Sequence, residues 1–193
     1  MGALAVLGVA ILIFAETATI LGSFLPGDSL LFLLGLTLST VLTSVPLLAA
    51  MGLVLLAAVA GSEVGYWLGH KLGPRVFSRE DTWFFNKNVV EKTKQFYNHY
   101  GARAIILSRF VPVLRALVPL TVGMSDFGGR RYLIYNLVGG LAWVPGLMAA
   151  GYFLGTINWV QTNIELVVIG FVIVSSLPLP FEILRNKMKN RTR

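Results

Sequence analysis

Residues 104–125, Ala-Ile-Ile-Leu-Ser-Arg-Phe-Val-Pro-Val-Leu-Arg-Ala-Leu-Val-Pro-Leu-Thr-Val-Gly-Met-Ser, constrain the fold more than any other stretch of this chain. The segment is apolar enough for a bilayer, yet it carries Arg109 and Arg115 together with Pro112 and Pro119. Each proline removes a backbone donor and interrupts a helix. An arginine at membrane depth costs about 2.5–3.5 kcal/mol on insertion scales, so two of them require partners or a wet cavity.

The rest of the chain supports the membrane reading. Charged residues make up 13% of it and apolar residues 55%, with a mean hydropathy of +0.74. A soluble domain is about a quarter charged, so this composition describes an integral membrane protein. No Lys or Arg precedes Lys71. The N-terminal apolar run therefore lacks the basic region of a signal peptide and is expected to stay in the mature protein. The net charge of +7 resides in polar segments between apolar ones, so it speaks for membrane orientation rather than for nucleic acid.

Residues 3–22 are apolar apart from Glu16 and small hydroxyl residues, and then Ser-Phe-Leu-Pro-Gly-Asp (23–28) breaks the run. Residues 29–42 are too short to span comfortably, whereas 47–69 have the roughly twenty residues that a bilayer core requires. Residues 70–103 are polar, with seven Lys or Arg against three acids. Within them Phe85, Val89, Phe96 and Tyr100 fall near one helical face, which predicts an amphipathic helix on the membrane surface or a solvated linker helix. Further spans are expected at 132–155 and 164–182, followed by a basic tail over 183–193.

Three polar segments are basic: 70–103, the Arg130-Arg131 pair and the tail. Connections 39–46 and 156–163 contain no Lys or Arg. The positive-inside rule then places the basic segments, including the C-terminus, in the cytoplasm. Residues 104–125 would start and finish on that side, as a re-entrant hairpin; a single proline-kinked span is the competing arrangement. A shift of 86 residues superposes Phe24-Leu25-Pro26 on Phe110-Val111-Pro112, and Gly65-Tyr66-Trp67-Leu68-Gly69 on Gly151-Tyr152-Phe153-Leu154-Gly155. The expected fold is thus all-α and integral to the membrane, a single domain over 1–193. Two inverted repeats, about 1–69 and 104–155, each comprise a helical hairpin and one span, joined by the amphipathic connector and closed by a final transmembrane helix. Pro26, Gly27, Pro112 and Pro119 are the expected hairpin breakers.

Five ionisable residues lie in apolar surroundings: Glu16, Asp28, Glu63, Arg109 and Arg115. The first repeat supplies only acids and the second only bases. Unpaired, the two arginines and Asp28 alone would cost about 9 kcal/mol, which rivals the whole stability of a typical domain. One reading is ion pairs that lock the hairpins together. The other is a polar cavity in which arginine forks meet phosphate oxygens and Glu16 and Asp28 carry protons. Glu63, Asn136, Tyr66 and Tyr152 are secondary candidates, with helix packing as the simpler role for each. Trp67, Trp83, Trp143 and Trp159 read mostly as interface anchors.

With no cysteine, and with His70 and His99 lacking carboxylates at ligand spacing, neither a metal site nor a thiol nucleophile is expected. No cofactor is implied, and the chain is not expected to be an enzyme.

These motifs resemble the DedA family of bacterial membrane proteins, which is related to the VTT-domain lipid scramblases. The matching residues are Glu16, the run from Phe24 to Asp28, Gly65-Tyr66-x-x-Gly69, Gly101, Ser108-Arg109-Phe110-x-Pro112-x-x-Arg115, Gly123, Asn136, Gly139, Trp143 and Gly151-Tyr152. The resemblance implies a bacterial plasma-membrane protein that transports or flips phosphate-bearing lipids, notably undecaprenyl phosphate, with protons as the suspected coupling ion. It assigns function to Glu16, Asp28, Arg109 and Arg115. An energy-independent phospholipid scramblase is the alternative. Membrane lipids are the expected partners, a homo-oligomer is compatible with the sequence, and nucleic acid is not expected.

Overall fold

The computed structural model describes residues 2–19, 26–42, 44–76, 95, 98–125, 127–163 and four residues between 166 and 170. Among the described residues all regular structure is helical: α1 (Gly2–Ala18), α2 (Gly27–Thr40), α3 (Leu47–Val76), α4 (Arg103–Ser108), α5 (Pro112–Gly123), α6 (Gly129–Gly155) and the short α7 (Asn158–Thr162). The expected surface helix within 70–103 and the expected span at 164–182 lie largely outside the described residues.

Among the described residues two helices are long and apolar enough to cross a membrane, Leu47–Lys71 within α3 and Gly129–Gly155. The remaining apolar helices are shorter: α1 has 17 residues, α2 has 14 and α5 has 12. At 1.5 Å per residue none of these three reaches the roughly 30 Å of a hydrocarbon core.

The stretch that dominates the sequence is broken at residues 109–111. Proline restricts the residue before it to extended conformations, and Val111, ahead of Pro112, has φ −122° and ψ 112°. The end of α4 tightens accordingly, with the Arg109, Phe110 and Val111 amides donating to the carbonyls of Ile106, Leu107 and Ser108. Pro112 then opens α5, where a missing amide hydrogen costs nothing. Pro119, expected to be a second breaker, instead sits inside α5, which runs on to Gly123. It lies beside Gly65 of α3, where a Cβ on the glycine would press on the proline Cβ. Pro26 borders α2 on its N-terminal side, and the Leu30 amide donates to its carbonyl at 3.0 Å.

The two long helices each lie against two shorter ones. α3 packs against α1 and α5, and α6 packs against α2 and α4. Small residues bring these backbones together. A Cβ on Gly35 would strike the Met148 carbonyl, and one on Gly151 the Phe32 carbonyl, so α2 and α6 touch main chain to main chain. Gly69 meets the Leu120 carbonyl and Gly123 the Tyr66 carbonyl, which closes α3 on α5 in the same manner. Between α3 and α6, by contrast, Gly140 meets only the side chains of Leu55 and Val59.

A buried apolar cluster including Ile13, Leu31, Leu34, Val54, Trp143 and Met148 joins α1, α2, α3 and α6, and a smaller one joins Ile105, Val118, Val122 and Tyr132. Large apolar residues also face outward, such as Leu48 at 81% exposure, Leu56 at 68% and Phe153 at 67%. Helices that are apolar on both inner and outer faces suit a lipid surround.

Candidate functional site

The break after α4, the C-terminal end of α1 and the start of α2 bring the sequence-predicted charges inside the fold. They form two networks. Glu16, Arg109, Arg115 and Asn136 are all at most 4% exposed.

The first network gathers Glu16, Asp28, Arg115 and Trp143. Arg115 of α5 donates through Nη2 to Glu16 Oε1 and through Nη1 to Asp28 Oδ1, the latter at 3.2 Å. Trp143 Nε1 of α6 donates to the same Asp28 oxygen at 2.8 Å, while its ring lies 4.6 Å from the Arg115 guanidinium. A desolvated cation over an indole face gains about 2 kcal/mol. The Glu16 and Arg115 side chains are at most 3% exposed, whereas the Asp28 side chain is 33% exposed. Glu16 also packs over Gly27, where a Cβ would collide with its carboxylate. Gly27 therefore does more than mark a break: it makes room for the acid.

The second network gathers Arg109, Asn136 and Glu63. Arg109 Nη2 donates to Asn136 Oδ1 and, at 3.3 Å, to the Ala58 carbonyl. Asn136 Nδ2 donates to Glu63 Oε1 at 2.9 Å and to the Val59 carbonyl at 3.2 Å. Beside it the Tyr132 and Ser62 hydroxyls are 2.6 Å apart. Tyr66 stacks on Tyr132 with ring centroids 4.5 Å apart and donates to the Phe127 carbonyl at 2.7 Å.

Tyr152 is not brought to either network. It packs against the apolar cluster and meets Phe153 edge to face. Trp143, expected at an interface, is instead 2% exposed and bridges the networks, with Arg109 5.9 Å from its ring. Its position midway along α6 was the available signal, since interface anchors sit near the ends of a span. Ser62 and Tyr132 are functional-site neighbours that the sequence reading missed, because a serine and a tyrosine in apolar surroundings have no distinctive spacing.

Two buried polar atoms make no hydrogen bond among the described residues, Glu16 Oε2 and Arg109 Nη1. Leaving such an atom unsatisfied costs about 1–3 kcal/mol. The two networks together also place three carboxylates against two guanidiniums, so with every group ionised they carry one net negative charge. Among the described residues no cluster of metal-ligating side chains occurs.

The sequence pattern of the VTT domain matches residues 25–153. The chain is 40% identical over 177 residues to Protein DedA of Escherichia coli K12, covering 92% of this chain and 81% of that protein. It is 40% identical over 171 residues to membrane protein Rv0364 of Mycobacterium tuberculosis H37Rv, covering 89% of this chain and 75% of the relative. Inner membrane protein YqjA of Escherichia coli K12 is 29% identical over 145 residues, 75% of this chain and 65% of that protein. No solved structure matches the chain significantly. With the domain match spanning most of the buried charges and the relatives covering most of its length, the chain belongs to the DedA family of VTT-domain membrane proteins.

Proposed function

We propose that this protein is a flippase for a phosphate-bearing lipid, with undecaprenyl phosphate as the leading substrate, and that protons drive it. One observation carries the reading: a phosphate-binding residue type, Arg115, is held inside the protein by two carboxylates, one of which is partly exposed. The second acid satisfies the Nη1 hydrogens of a buried guanidinium, and its partial exposure leaves that contact open to protons and to a competing anion. With all three acids ionised the cluster repels a phosphate, and neutralising an acid removes part of that repulsion. Protonation of Asp28 or Glu16 would free Arg115 for the lipid headgroup, and its return to the acids would release the headgroup. Arg109 supplies the second guanidinium. No bond in the lipid changes, so the protein acts as a carrier rather than an enzyme.

The helix packing supports an inverted-repeat architecture. Gly65 and Gly69 of α3 meet α5, and their counterparts at the 86-residue shift, Gly151 and Gly155 of α6, meet α2. Each long helix thus receives the short helix of the opposite repeat, as expected for two interlocked, inverted copies. In this arrangement the break at 109–111 is the tip of a re-entrant hairpin, and 1–193 forms one membrane domain. The basic segments and the C-terminus face the cytoplasm, and the protein resides in the bacterial plasma membrane.

Reconstitution into vesicles with undecaprenyl phosphate tests the reading. Movement of the lipid between leaflets that accelerates with a pH gradient is the expected result. Gradient-indifferent movement of ordinary phospholipids would instead assign a scramblase, and release of phosphate from the lipid would assign an enzyme.

A further inference from the structure

The two arginines are bonded in chemically different ways. Both Nη atoms of Arg115 face carboxylates. Arg109 faces only neutral oxygens, the Asn136 amide and the Ala58 carbonyl, and its Nη1 has no partner among the described residues although the side chain is buried. A carboxylate is nearby: Glu63 lies one hydrogen bond further on, at the other end of Asn136.

We propose that Asn136 is a positioning residue that reserves Arg109 for a phosphate group by standing between its guanidinium and the Glu63 carboxylate. The inference rests on the phosphate reading of the site and assigns a further residue to it. The argument starts from hydrogen-bond inventory. Arginine has donors only and an ionised glutamate has acceptors only, so a group between them must accept at one end and donate at the other. Asparagine does both while carrying no charge. Its orientation is fixed by its neighbours, with Oδ1 toward Arg109 and Nδ2 toward Glu63 and the Val59 carbonyl. An aspartate at this position would pair with Arg109 directly and have nothing to donate to Glu63. The amide steers the guanidinium without neutralising it, and a phosphate oxygen is the strongest complement for the remaining Nη1 hydrogens. Arg115 is engaged until its acids release it, so Arg109 is the residue that meets the phosphate first.

The phosphate group has two sources, a lipid headgroup or the free ion. The test is equilibrium binding of dodecyl phosphate and of inorganic phosphate to the purified full chain in detergent. Tighter binding of dodecyl phosphate assigns the lipid, and equal affinity assigns the ion. Asn136→Asp should weaken binding about tenfold or more, because a carboxylate now occupies the guanidinium. Glu63→Gln should tighten it by about threefold or more, because one repelling charge is removed. A purely structural Asn136 predicts the opposite pattern: a lower melting temperature for Asn136→Asp, with its affinity for the probe unchanged. That result overturns the inference while leaving the phosphate reading intact. If Asn136→Asp does not purify folded, Asn136→Ala decides: it removes the amide between Arg109 and Glu63 and should weaken binding, and unchanged affinity there overturns the inference. Wild-type protein that binds neither probe would overturn the phosphate reading itself.

Discussion

Arg109 and Arg115 are six residues apart in the chain and end in different company, one against an amide and the other against two acids. Their fork geometry matters in both places. Arg109→Lys keeps the charge but cannot reach two fixed carbonyl oxygens and a phosphate at once. It should lower lipid movement in vesicles by about tenfold or more while leaving the melting temperature within a few degrees of wild type. Trp143→Phe keeps the ring over Arg115 and deletes the bond to Asp28. The expected cost is about 1 kcal/mol of stability, read by thermal melting in detergent, with a larger loss in transport because Asp28 is no longer aimed at Arg115. The charges themselves were legible in the sequence, since an ionisable residue in an apolar run is too costly to keep without a partner or a wet cavity. The division into two networks was not. It depends on which oxygen each guanidinium reaches, and residue spacing along the chain carries no trace of that. Trp143 was misassigned for a related reason: tryptophan is common at membrane interfaces, and only its depth in α6 argues otherwise.

At the scale of elements, two kinds of proline and two kinds of glycine separate. Pro112 ends one helix and begins another, whereas Pro119 is carried inside α5. A proline in a helix interior costs about 3 kcal/mol relative to alanine. Pro119→Ala should therefore preserve the fold and raise the melting temperature, because alanine keeps the Cβ beside Gly65 and restores an amide donor. Loss of the folded protein in this variant would mean that the ring itself shapes α5. Gly151 and Gly52 make a second contrast. Gly151→Leu pushes a side chain into the Phe32 carbonyl and should destabilise the α2–α6 contact by about 1–3 kcal/mol. Gly52 has open space around its Cβ position, so Gly52→Ala should be neutral or stabilising by up to about 1 kcal/mol. Thermal melting of the two variants side by side checks both. The small-residue spacing made close helix packing legible, and the apolar runs marked where α3 begins and where α6 ends, whereas α3 continues past the expected limit at 69 to Val76. Which helix approaches each glycine did not, because a missing Cβ records proximity without naming the partner.

For the whole molecule, packing and charge follow different divisions. Main-chain contacts hold α3 to α1 and α5, and α6 to α2 and α4. Between these two groups, besides the chain connection at 109–111, side chains supply several links: Arg115 to Asp28, Asn136 to Glu63, Tyr132 to Ser62, and Gly140 against Leu55. Side-chain links can exchange partners at small cost, while touching backbones move together. Such a division suits a carrier in which one helix group shifts against the other as the acids at their boundary gain and lose protons. The central claim is that the buried guanidiniums receive a lipid phosphate at this boundary. The most direct measurement is a structure of the protein in lipid nanodiscs loaded with undecaprenyl phosphate. The account predicts headgroup density within hydrogen-bonding distance of Arg109 Nη1, with the Arg115–Asp28 contact opened beyond its present 3.2 Å. Headgroup density bound only at the outer surface, with Arg115 still paired to both acids, would contradict it.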